Sequence, residues 1–293
     1  MRYFQAAATA CSMRRAADQL NVSPSALSRQ ISALEEKLGA PLFERMPRGV
    51  KLTSAGEILL FHAEQSFKEL DRAQKAIAEL KGLRRGQINI AIVESAARGL
   101  LPPVLAALWA RHADVKVSVQ VAGTYEVLRR VERGEADIGI AFNVLRETDL
   151  MVVDVARLRI GAIMSRNHEL AGRKSLKVQD LVGRPVFLAD SSLMLRDALA
   201  DAERSWALDV RLVTNSITLM SALAATTNGI ALKTKVGVSE EIERGELNFV
   251  PVDDRRLPVQ HLAVVVRRNL AFPALVNTIA KECTTALSRI RED

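Results

Sequence analysis

The chain has 293 residues, of which 48% are hydrophobic and 26% charged, with a formal net charge of +7. This length predicts two or three domains, and the apolar content is sufficient to bury their cores. Cys11 and Cys283 lie at opposite ends, which argues against a disulfide framework and against a cysteine metal site. The longest uncharged run, residues 212–232, contains many threonine, serine and asparagine side chains, so we expect no membrane-spanning helix and no membrane partner.

The opening residues 1–11 superficially resemble a short lipoprotein leader. Their apolar stretch is short, contains Gln5 and is followed directly by Arg14 and Arg15. We therefore expect a cytoplasmic protein without a leader.

Residues 12–38 have the pattern of two short helices joined by a tight turn. Ala16 and Ala17 share one face of the first helix, and small residues suit a close helix crossing. Ser23 is a natural N-cap, and Pro24 suits the first position of the second helix. The second helix has an apolar stripe at spacings of four, three and four, formed by Leu27, Ile31, Leu34 and Leu38.

The first turns of the second helix carry candidate DNA-reading residues. Ser25, Ser28 and Arg29 face away from the apolar stripe, as in the recognition helix of a helix-turn-helix. Ser23 and Pro24, at the helix start, complete this candidate surface. An ordinary helical hairpin has the same apolar pattern and is the alternative interpretation at this point.

A short hairpin is predicted directly after the second helix, with its tip at residues 48–49. The candidate DNA contacts in this wing are Arg45, Arg48, Lys51 and Thr53. Residues 1–53 contain eight Lys and Arg against four Asp and Glu, so +4 of the net charge lies here. A solvated surface explains any single charge, but their clustering favours a polyanion such as DNA.

The run 12–45, together with residues 52–57, resembles the DNA-binding domain of LysR-type transcriptional regulators. In order, the similarity includes a small-residue first helix and the blocks 28–31, 34–39, 41–45 and 52–56. The resemblance implies an all-α winged helix-turn-helix over residues 1–53 that binds double-stranded promoter DNA. Family members usually have a few more residues before Arg2. Either translation starts upstream of Met1, or the first helix begins late and the domain is less stable.

Residues 54–83 are predicted to form one long helix, with Ser54 as N-cap and Glu57 completing a capping box. A helix of this length with one apolar seam needs a partner, either an antiparallel copy of itself or the C-terminal domain of its own chain. The resemblance favours a dimer through this linker helix and hinge, residues 54–86, and a tetramer built from two dimers.

Residues 87–293 alternate predicted strands and helices, which indicates an α/β domain with parallel sheets. Residues 86–90, 100–102 and 133–138 resemble the effector domain of the same family, which implies the two-lobed fold of type II periplasmic binding proteins. The implied first lobe covers about residues 87–160 and 267–293, and the second about 161–266. The resemblance further implies a small-molecule effector of unknown identity, no cofactor, and RNA polymerase as a further partner.

Ligands of such sheets bind at the carboxyl ends of strands, where helix N-termini offer N–H groups to anions. These positions carry a set of polar side chains that we predict to bind the effector: Glu94, Ser95, Thr124, Asn143, Ser191, Ser192, Asn215 and Ser216. Each one is equally explained as a helix cap. Their convergence on one cleft favours the binding interpretation.

Two departures from the family pattern lie near this cleft. Glu94 stands where relatives often have proline or an apolar residue, and its carboxylate disfavours an anionic effector unless Arg98 or Arg196 neutralises it. The second departure is the segment 229–234, which contains Lys233, where many relatives have Leu-Pro after the Gly-Ile. Lys233 restores affinity for a carboxylate if it points into the cleft; otherwise it is a solvated strand end.

The sequence thus predicts a bacterial transcriptional regulator of the LysR type that responds to a small effector. The alternative is a sensor resembling solute-binding proteins whose DNA role is secondary. A secreted solute-binding protein is disfavoured, because it has no use for residues 1–83. An enzyme is disfavoured because the four histidines are scattered and no glycine-rich phosphate loop or metal-spaced cluster is present in the sequence. A purely architectural DNA protein does not need two ligand-binding lobes.

Overall fold

The computed structural model describes residues 1–47, 49–80, 86–144, 150–190, 207–255, 257–268 and 274–291. The chain divides into two compact units, Met1–Lys75 and Ala76–Asp293. Each unit has its own hydrophobic core. Among the described helices, none combines the length and the apolarity required to cross a bilayer.

The N-terminal unit consists of three short helices, a hairpin and the first part of a long helix. The hairpin strands are antiparallel, with Phe43 opposite Leu52. In chain order the elements are α1 (Arg2–Ala10), α2 (Met13–Gln19), α3 (Pro24–Leu38), β1 (Phe43–Met46), β2 (Gly49–Leu52) and α4 (Ser54–Leu80). This order confirms the predicted winged helix-turn-helix.

Local side-chain signals set the ends of α2 and α3. The hydroxyls of Ser12 and Ser23 each accept a backbone N–H from the first turn, at 3.4 and 3.2 Å. Helix α3 ends at Gly39, whose φ of 68° is the left-handed conformation that glycine adopts without strain. Ala16 and Ala17 are completely buried, as predicted for small residues at a close helix crossing.

Helix α4 is capped by Thr53 and not by Ser54. The Thr53 hydroxyl accepts the Gly56 N–H at 3.0 Å and donates to the Pro41 carbonyl at 2.6 Å. The expected cap lies one residue too late, because Ser54 already belongs to the first helical turn. A Cβ at Gly56 would lie 2.2 Å from the Leu42 carbonyl oxygen, so α4 packs directly against the chain that enters the hairpin.

The C-terminal unit contains two five-stranded sheets. The first has the spatial order β4-β3-β5-β12-β6, and the second has the order β11-β7-β10-β8-β9. In chain order the strands are β3 (Gln87–Ile92), β4 (Lys116–Val121), β5 (Ile138–Phe142), β6 (Leu150–Leu158), β7 (Gly161–Ser165), β8 (Pro185–Ala189), β9 (Asp209–Thr214), β10 (Ile230–Lys233), β11 (Leu247–Pro251) and β12 (Gln260–Arg267).

Helices cover these sheets and bury their apolar side chains in the core of each lobe. The described helices of this unit are α5 (Glu94–Gly99), α6 (Leu101–Arg111), α7 (Thr124–Glu132), the 3-10 helix Val178–Leu181, α8 (Ile217–Thr226), α9 (Ser239–Glu243) and α10 (Ala274–Ile290). Helices α5, α7 and α8 each begin within a few residues of a strand end, which places their N-termini at the carboxyl edges of the sheets.

Both sheets are mixed, whereas the sequence predicted parallel ones. Strands β3, β4 and β5 are parallel, as are β8, β9 and β10. Strand β12 is antiparallel to β5 and β6, and β7 is antiparallel to β10 and β11. The expectation failed at the pairs made by β7 and β12, whose partners lie between about 65 and 120 residues away along the chain, so the local alternation of strands and helices does not fix their direction.

Strand β12 belongs to the first lobe, so the predicted lobe boundary after residue 266 is wrong. Its residues pair with β5 and β6 along almost their whole length, from Gln260 opposite Leu158 to Arg267 opposite Leu150. The chain therefore returns to the first lobe between Pro251 and Gln260. An apolar run of this kind fits the centre of either sheet, and periodicity does not reveal which strands it will pair with.

Candidate functional site

The N-terminal end of α3 presents a polar, accessible surface. Five side chains of this region are predicted to read DNA. Ser28 is half-buried, and the exposed ones are Ser23, Pro24, Ser25 and Arg29. The Ser23 and Ser25 hydroxyls lie 3.1 Å apart. The opposite face of α3 is fixed in the core by Leu27 and Ile31. This geometry leaves the first turns of the helix free to contact another molecule.

The hairpin is held against the helices by backbone contacts. The Glu35 carboxylate on α3 accepts the N–H groups of Leu42 and Phe43, at 2.7 and 3.3 Å. The Val50 N–H donates to the Cys11 carbonyl at 3.2 Å. These bonds fix the position of the wing relative to α3.

The predicted wing contacts have different structural settings. Lys51 is exposed on β2, whereas Thr53 is half-buried and its hydroxyl already has two partners in the chain. Arg45 lies on β1, opposite Val50. Arg48 lies outside the described residues.

A cleft opens between the two lobes of the C-terminal unit. It encloses about 460 Å³ of empty space, part of which is open to solvent. Its walls come from strand ends and helix starts of both lobes: Val93, Glu94, Ser95, Thr124, Phe142, Ile217, Lys233, Thr234 and Gln260. The position agrees with the expectation that ligands bind at the carboxyl ends of the strands.

The structure brings only some of the predicted effector residues into this cleft. Glu94, Ser95 and Thr124 line it. Asn143 instead hydrogen-bonds Gln260 and the His261 N–H, at 2.8 and 2.9 Å. The other predicted positions are Ser216, which is the N-cap of α8, Asn215, which is exposed, and Ser191 and Ser192, which lie outside the described residues.

The Glu94 carboxylate bridges the lobes by binding the N-terminus of α8. It accepts the Ile217 N–H at 2.6 Å, the Thr218 N–H at 3.0 Å and the Thr218 hydroxyl at 2.8 Å. A carboxylate in this position is stabilised by the free N–H groups and by the helix dipole. Arg98, one of the two residues considered as a partner for Glu94, instead forms an ion pair with Glu241. Arg196 lies outside the described residues.

Lys233 is a buried cleft residue and not a solvated strand end. Its exposed fraction is 2%, and its Nζ has no hydrogen-bond partner among the described residues. Burial, assisted by the positive charge of Arg98, lowers the pKa of Lys233 to about 7, despite the opposing charges of Glu94 and Glu241. At neutral pH this amine therefore exists in both protonation states.

Thr124 is a second buried polar residue in the cleft. It begins α7, its exposed fraction is 1%, and its hydroxyl has no hydrogen-bond partner within the described part of the chain. The amide of Gln260 differs, since it accepts from Asn143 at 2.8 Å and donates to the Pro258 carbonyl at 3.0 Å. Buried polar atoms are normally paired, so the two orphan groups are available to a bound molecule.

Close backbone packing supports the cleft floor. A Cβ at Gly237, whose φ is 85°, would lie 2.8 Å from the Ser95 Cα, and one at Gly99 would lie 2.6 Å from the Gly237 backbone nitrogen. Helix α5 of the first lobe thus rests directly on the loop after β10 of the second. The described residues contain no cluster of three or more His, Cys, Asp or Glu side chains suited to a metal ion.

Sequence reasoning missed several lining residues. Phe142 and Ile217 directly adjoin the nominated Asn143 and Ser216, so their strand-end and helix-start positions were a usable signal. Gln260 was missed because its strand was assigned to the other lobe. Thr234 follows Lys233, which the sequence identified only as a departure from the family pattern.

Comparison with known proteins identifies both units. Residues 1–57 match the family described as bacterial regulatory helix-turn-helix protein, lysR family. Residues 81–288, well over half of the chain, match the LysR substrate binding domain. The chain belongs to the LysR family of transcriptional regulators. This assignment makes it a DNA-binding regulator with a domain for an effector, and not an enzyme.

Individual relatives agree with this assignment over nearly the full length. The Hca operon transcriptional activator HcaR of Escherichia coli is 27% identical over 288 residues, or 96% of this chain and 95% of the relative. A probable RuBisCO transcriptional regulator of Synechocystis sp. is 27% identical over 92% of this chain and 80% of the relative. The fold is similar to that of a full-length OxyR variant from Pseudomonas aeruginosa, with a TM-score of 0.68 and 18% identity, covering 100% of this chain and 96% of that one.

Proposed function

We propose that this LysR-family regulator reads promoter DNA through α3 and the hairpin, and that an effector bound in the interlobe cleft adjusts this binding. The observation that carries the DNA assignment is the division of α3 into two faces. Its core face fixes the helix, while its N-terminal turns expose Ser25 and Arg29. Arginine in this position can donate two hydrogen bonds to guanine in the major groove.

The wing contributes phosphate contacts in this proposal. Lys51 is exposed on β2, and Arg45 lies on β1 of the same hairpin. Arg48 comes between these two strands in the sequence. Contacts of this kind orient a protein on DNA and add affinity without reading the sequence. Ser23 and Pro24 set the start of α3, and Thr53 fixes the hairpin to α4, so their contribution to DNA binding is through position.

The regulator acts as a dimer formed through α4, and two dimers form a tetramer. The support for the dimer is that α4 exposes large apolar side chains along its length, namely Ile58, Phe61, Leu70 and Ile77. Paired linker helices would present two copies of α3 to a site with two half-sites. The proposed location is the cytoplasm, where DNA and RNA polymerase are available as partners.

The effector part of the proposal rests on the cleft between the lobes. Glu94, Ser95 and Thr124 line it, and two of its buried polar groups have no partner among the described residues. Asn143 supports the cleft through Gln260, and Ser216 supports it by capping α8. Asn215, Ser191 and Ser192 remain candidate contacts for a larger effector.

Footprinting of the region upstream of this gene tests the DNA assignment. Arg29→Ala should weaken binding by about 1–3 kcal/mol and relax the preference at one base pair. Lys37→Ala removes the same charge from an exposed position near the other end of α3 and should change affinity by less than about 0.5 kcal/mol. Sedimentation should give the same oligomer for both variants. Equal footprints for Arg29→Ala and the parent protein would refute the assignment.

A further inference from the structure

The N-terminus of α8 is already occupied by a carboxylate of this chain. Glu94 accepts the N–H groups of Ile217 and Thr218, and the Ser216 hydroxyl accepts the Leu219 N–H at 3.2 Å. The first three N–H donors of α8 are therefore all satisfied by side chains. A ligand anion has no free donor at this helix end, although such an end is the usual anion site of the fold.

Two other residues that line the cleft, one from each lobe, are not paired in this way. Lys233 Nζ and the Thr124 hydroxyl are buried, line the cleft and have no hydrogen-bond partner among the described residues. A buried amine and a buried hydroxyl each lose their hydration without compensation, which costs stability unless another molecule binds them. An acidic group can accept from an amine and from a hydroxyl, so each of these two lining groups is a candidate contact for a ligand anion.

Within the part of the chain that the structure describes, the charged groups near Lys233 are already paired with other groups. Arg98, Glu94 and Glu241 are the charges that act on it. Arg98 and Glu241 pair with each other, and Glu94 is bound to α8. The nearby carboxylates are thus committed elsewhere, and a ligand anion supplies the missing partner.

The rest of the cleft wall suits an apolar ligand body. Val93, Phe142 and Ile217 contribute hydrophobic surface. The Gln260 amide is engaged by Asn143 and by the Pro258 carbonyl. Among the described residues, the cleft therefore combines the unpaired Lys233 amine with apolar walls, and the N-terminus of α8 is filled by Glu94.

We infer that the cleft binds a small apolar monocarboxylate, whose acidic group contacts Lys233 Nζ and the Thr124 hydroxyl, and that Glu94 excludes a second acidic group. This inference rests on the proposed function of the cleft as the effector site and specifies the ligand class. Glu94 acts as a resident carboxylate at α8, in the position where a dicarboxylate would place its second group. Lys233 supplies the charge that selects acids over neutral analogues.

Calorimetry on the full-length protein tests the ligand class directly. The probes are isovalerate, benzoate and phenylacetate, each with its amide, and the dicarboxylates glutarate and terephthalate. At least one monocarboxylate should bind about tenfold or more tightly than its amide and than both dicarboxylates. In Lys233→Met, the monocarboxylate should no longer bind more tightly than its amide. Lys235 is exposed and lies two residues further along the chain, so Lys235→Met should keep the preference for the acid.

Two further measurements distinguish direct effects of Lys233 and Glu94 on the ligand from a purely structural role of these residues. Binding of the acid should take up protons near pH 7, and its affinity should fall up to about tenfold per pH unit above the pKa of Lys233. Glu94→Gln keeps an acceptor for α8 but removes the charge, so terephthalate should gain affinity relative to benzoate. A pH-independent affinity, or no gain in Glu94→Gln, would overturn the inference.

The two proposals fail in distinguishable ways. If neutral or cationic compounds bind the cleft and Lys233→Met leaves their binding unchanged, the effector site stands and the monocarboxylate class is wrong. If compounds of every charge class leave both the calorimetric trace and the footprint unchanged, the effector function of the cleft itself is refuted.

Discussion

The two candidate binding regions of this regulator differ in how completely their buried polar groups are paired. Among the described residues of the N-terminal unit, every buried side-chain nitrogen or oxygen has a hydrogen-bond partner. The cleft, in contrast, leaves Lys233 Nζ and the Thr124 hydroxyl without one. A surface that reads DNA needs a rigid helix with exposed groups, whereas a pocket for a small molecule keeps buried groups unpaired for its ligand.

The largest expected effect of this difference is that the buried Lys233 amine lowers the free energy of unfolding. Its pKa is about 7 in the folded chain and near 10.5 in the unfolded one. The unfolded chain therefore binds more protons between these values, and the stability of the parent protein rises with pH across this range. The loss of stability caused by burying the charged Lys233 amine is complete below about pH 7 and disappears above about pH 10.5.

Lys233→Met should accordingly raise the free energy of unfolding, by about 5 kcal/mol at pH 6 and by about 2 kcal/mol at pH 9. Urea titrations at the two pH values measure this difference. Lys235→Met, at an exposed position, should show no such pH dependence. A stability gain of the same size at both pH values would mean that Lys233 is not the titrating group.

The N-terminal unit should respond most strongly to damage in its hydrophobic core. Leu27 is completely buried in α3, so Leu27→Ala should destabilise this unit by about 3 kcal/mol through lost packing. DNA binding should fall with it, while ligand binding in the cleft should persist, because the C-terminal unit has its own core.

Leu108→Ala is the matched control, since Leu108 is equally buried in the core of the first lobe. It should have the opposite pattern, with weakened ligand binding and a retained N-terminal unit. Circular dichroism during urea unfolding, followed together with footprinting, separates the two effects. Loss of both functions in both variants would show that the units do not unfold independently.

The same contrast explains which features the sequence predicted. The start of α3 depends on Ser23 and Pro24, and its end on Gly39, all of which act within a few residues. The sequence also placed Glu94 and Thr124 at strand ends in the cleft. It did not predict that Glu94 would bind α8, which lies more than a hundred residues away along the chain.

Long-range pairing accounts for the other failures as well. The apolar strand β12 was assigned to the wrong lobe, because a central strand has the same composition in either sheet. Arg98 was one of two possible partners for Glu94, and it pairs instead with Glu241 on α9. In each case the partner is selected by tertiary packing, which leaves no signal near the residue itself.

The smallest expected effect on stability concerns Thr124. Thr124→Val keeps the shape of the side chain and removes a buried hydroxyl that has no partner among the described residues, so the free energy of unfolding should rise by less than about 1 kcal/mol. Affinity for the monocarboxylate should fall about tenfold, since one hydrogen bond to a charged group is lost.

Ser221→Ala provides the control for Thr124→Val, because the Ser221 hydroxyl is also buried but donates to the Ile217 carbonyl at 2.9 Å. It should cost about 1 kcal/mol of stability and leave ligand affinity unchanged. Thermal unfolding and calorimetry on both variants measure the two quantities. If Thr124→Val lost stability like Ser221→Ala and bound the acid unchanged, the Thr124 hydroxyl would belong to the scaffold, and Lys233 alone would mark the ligand site.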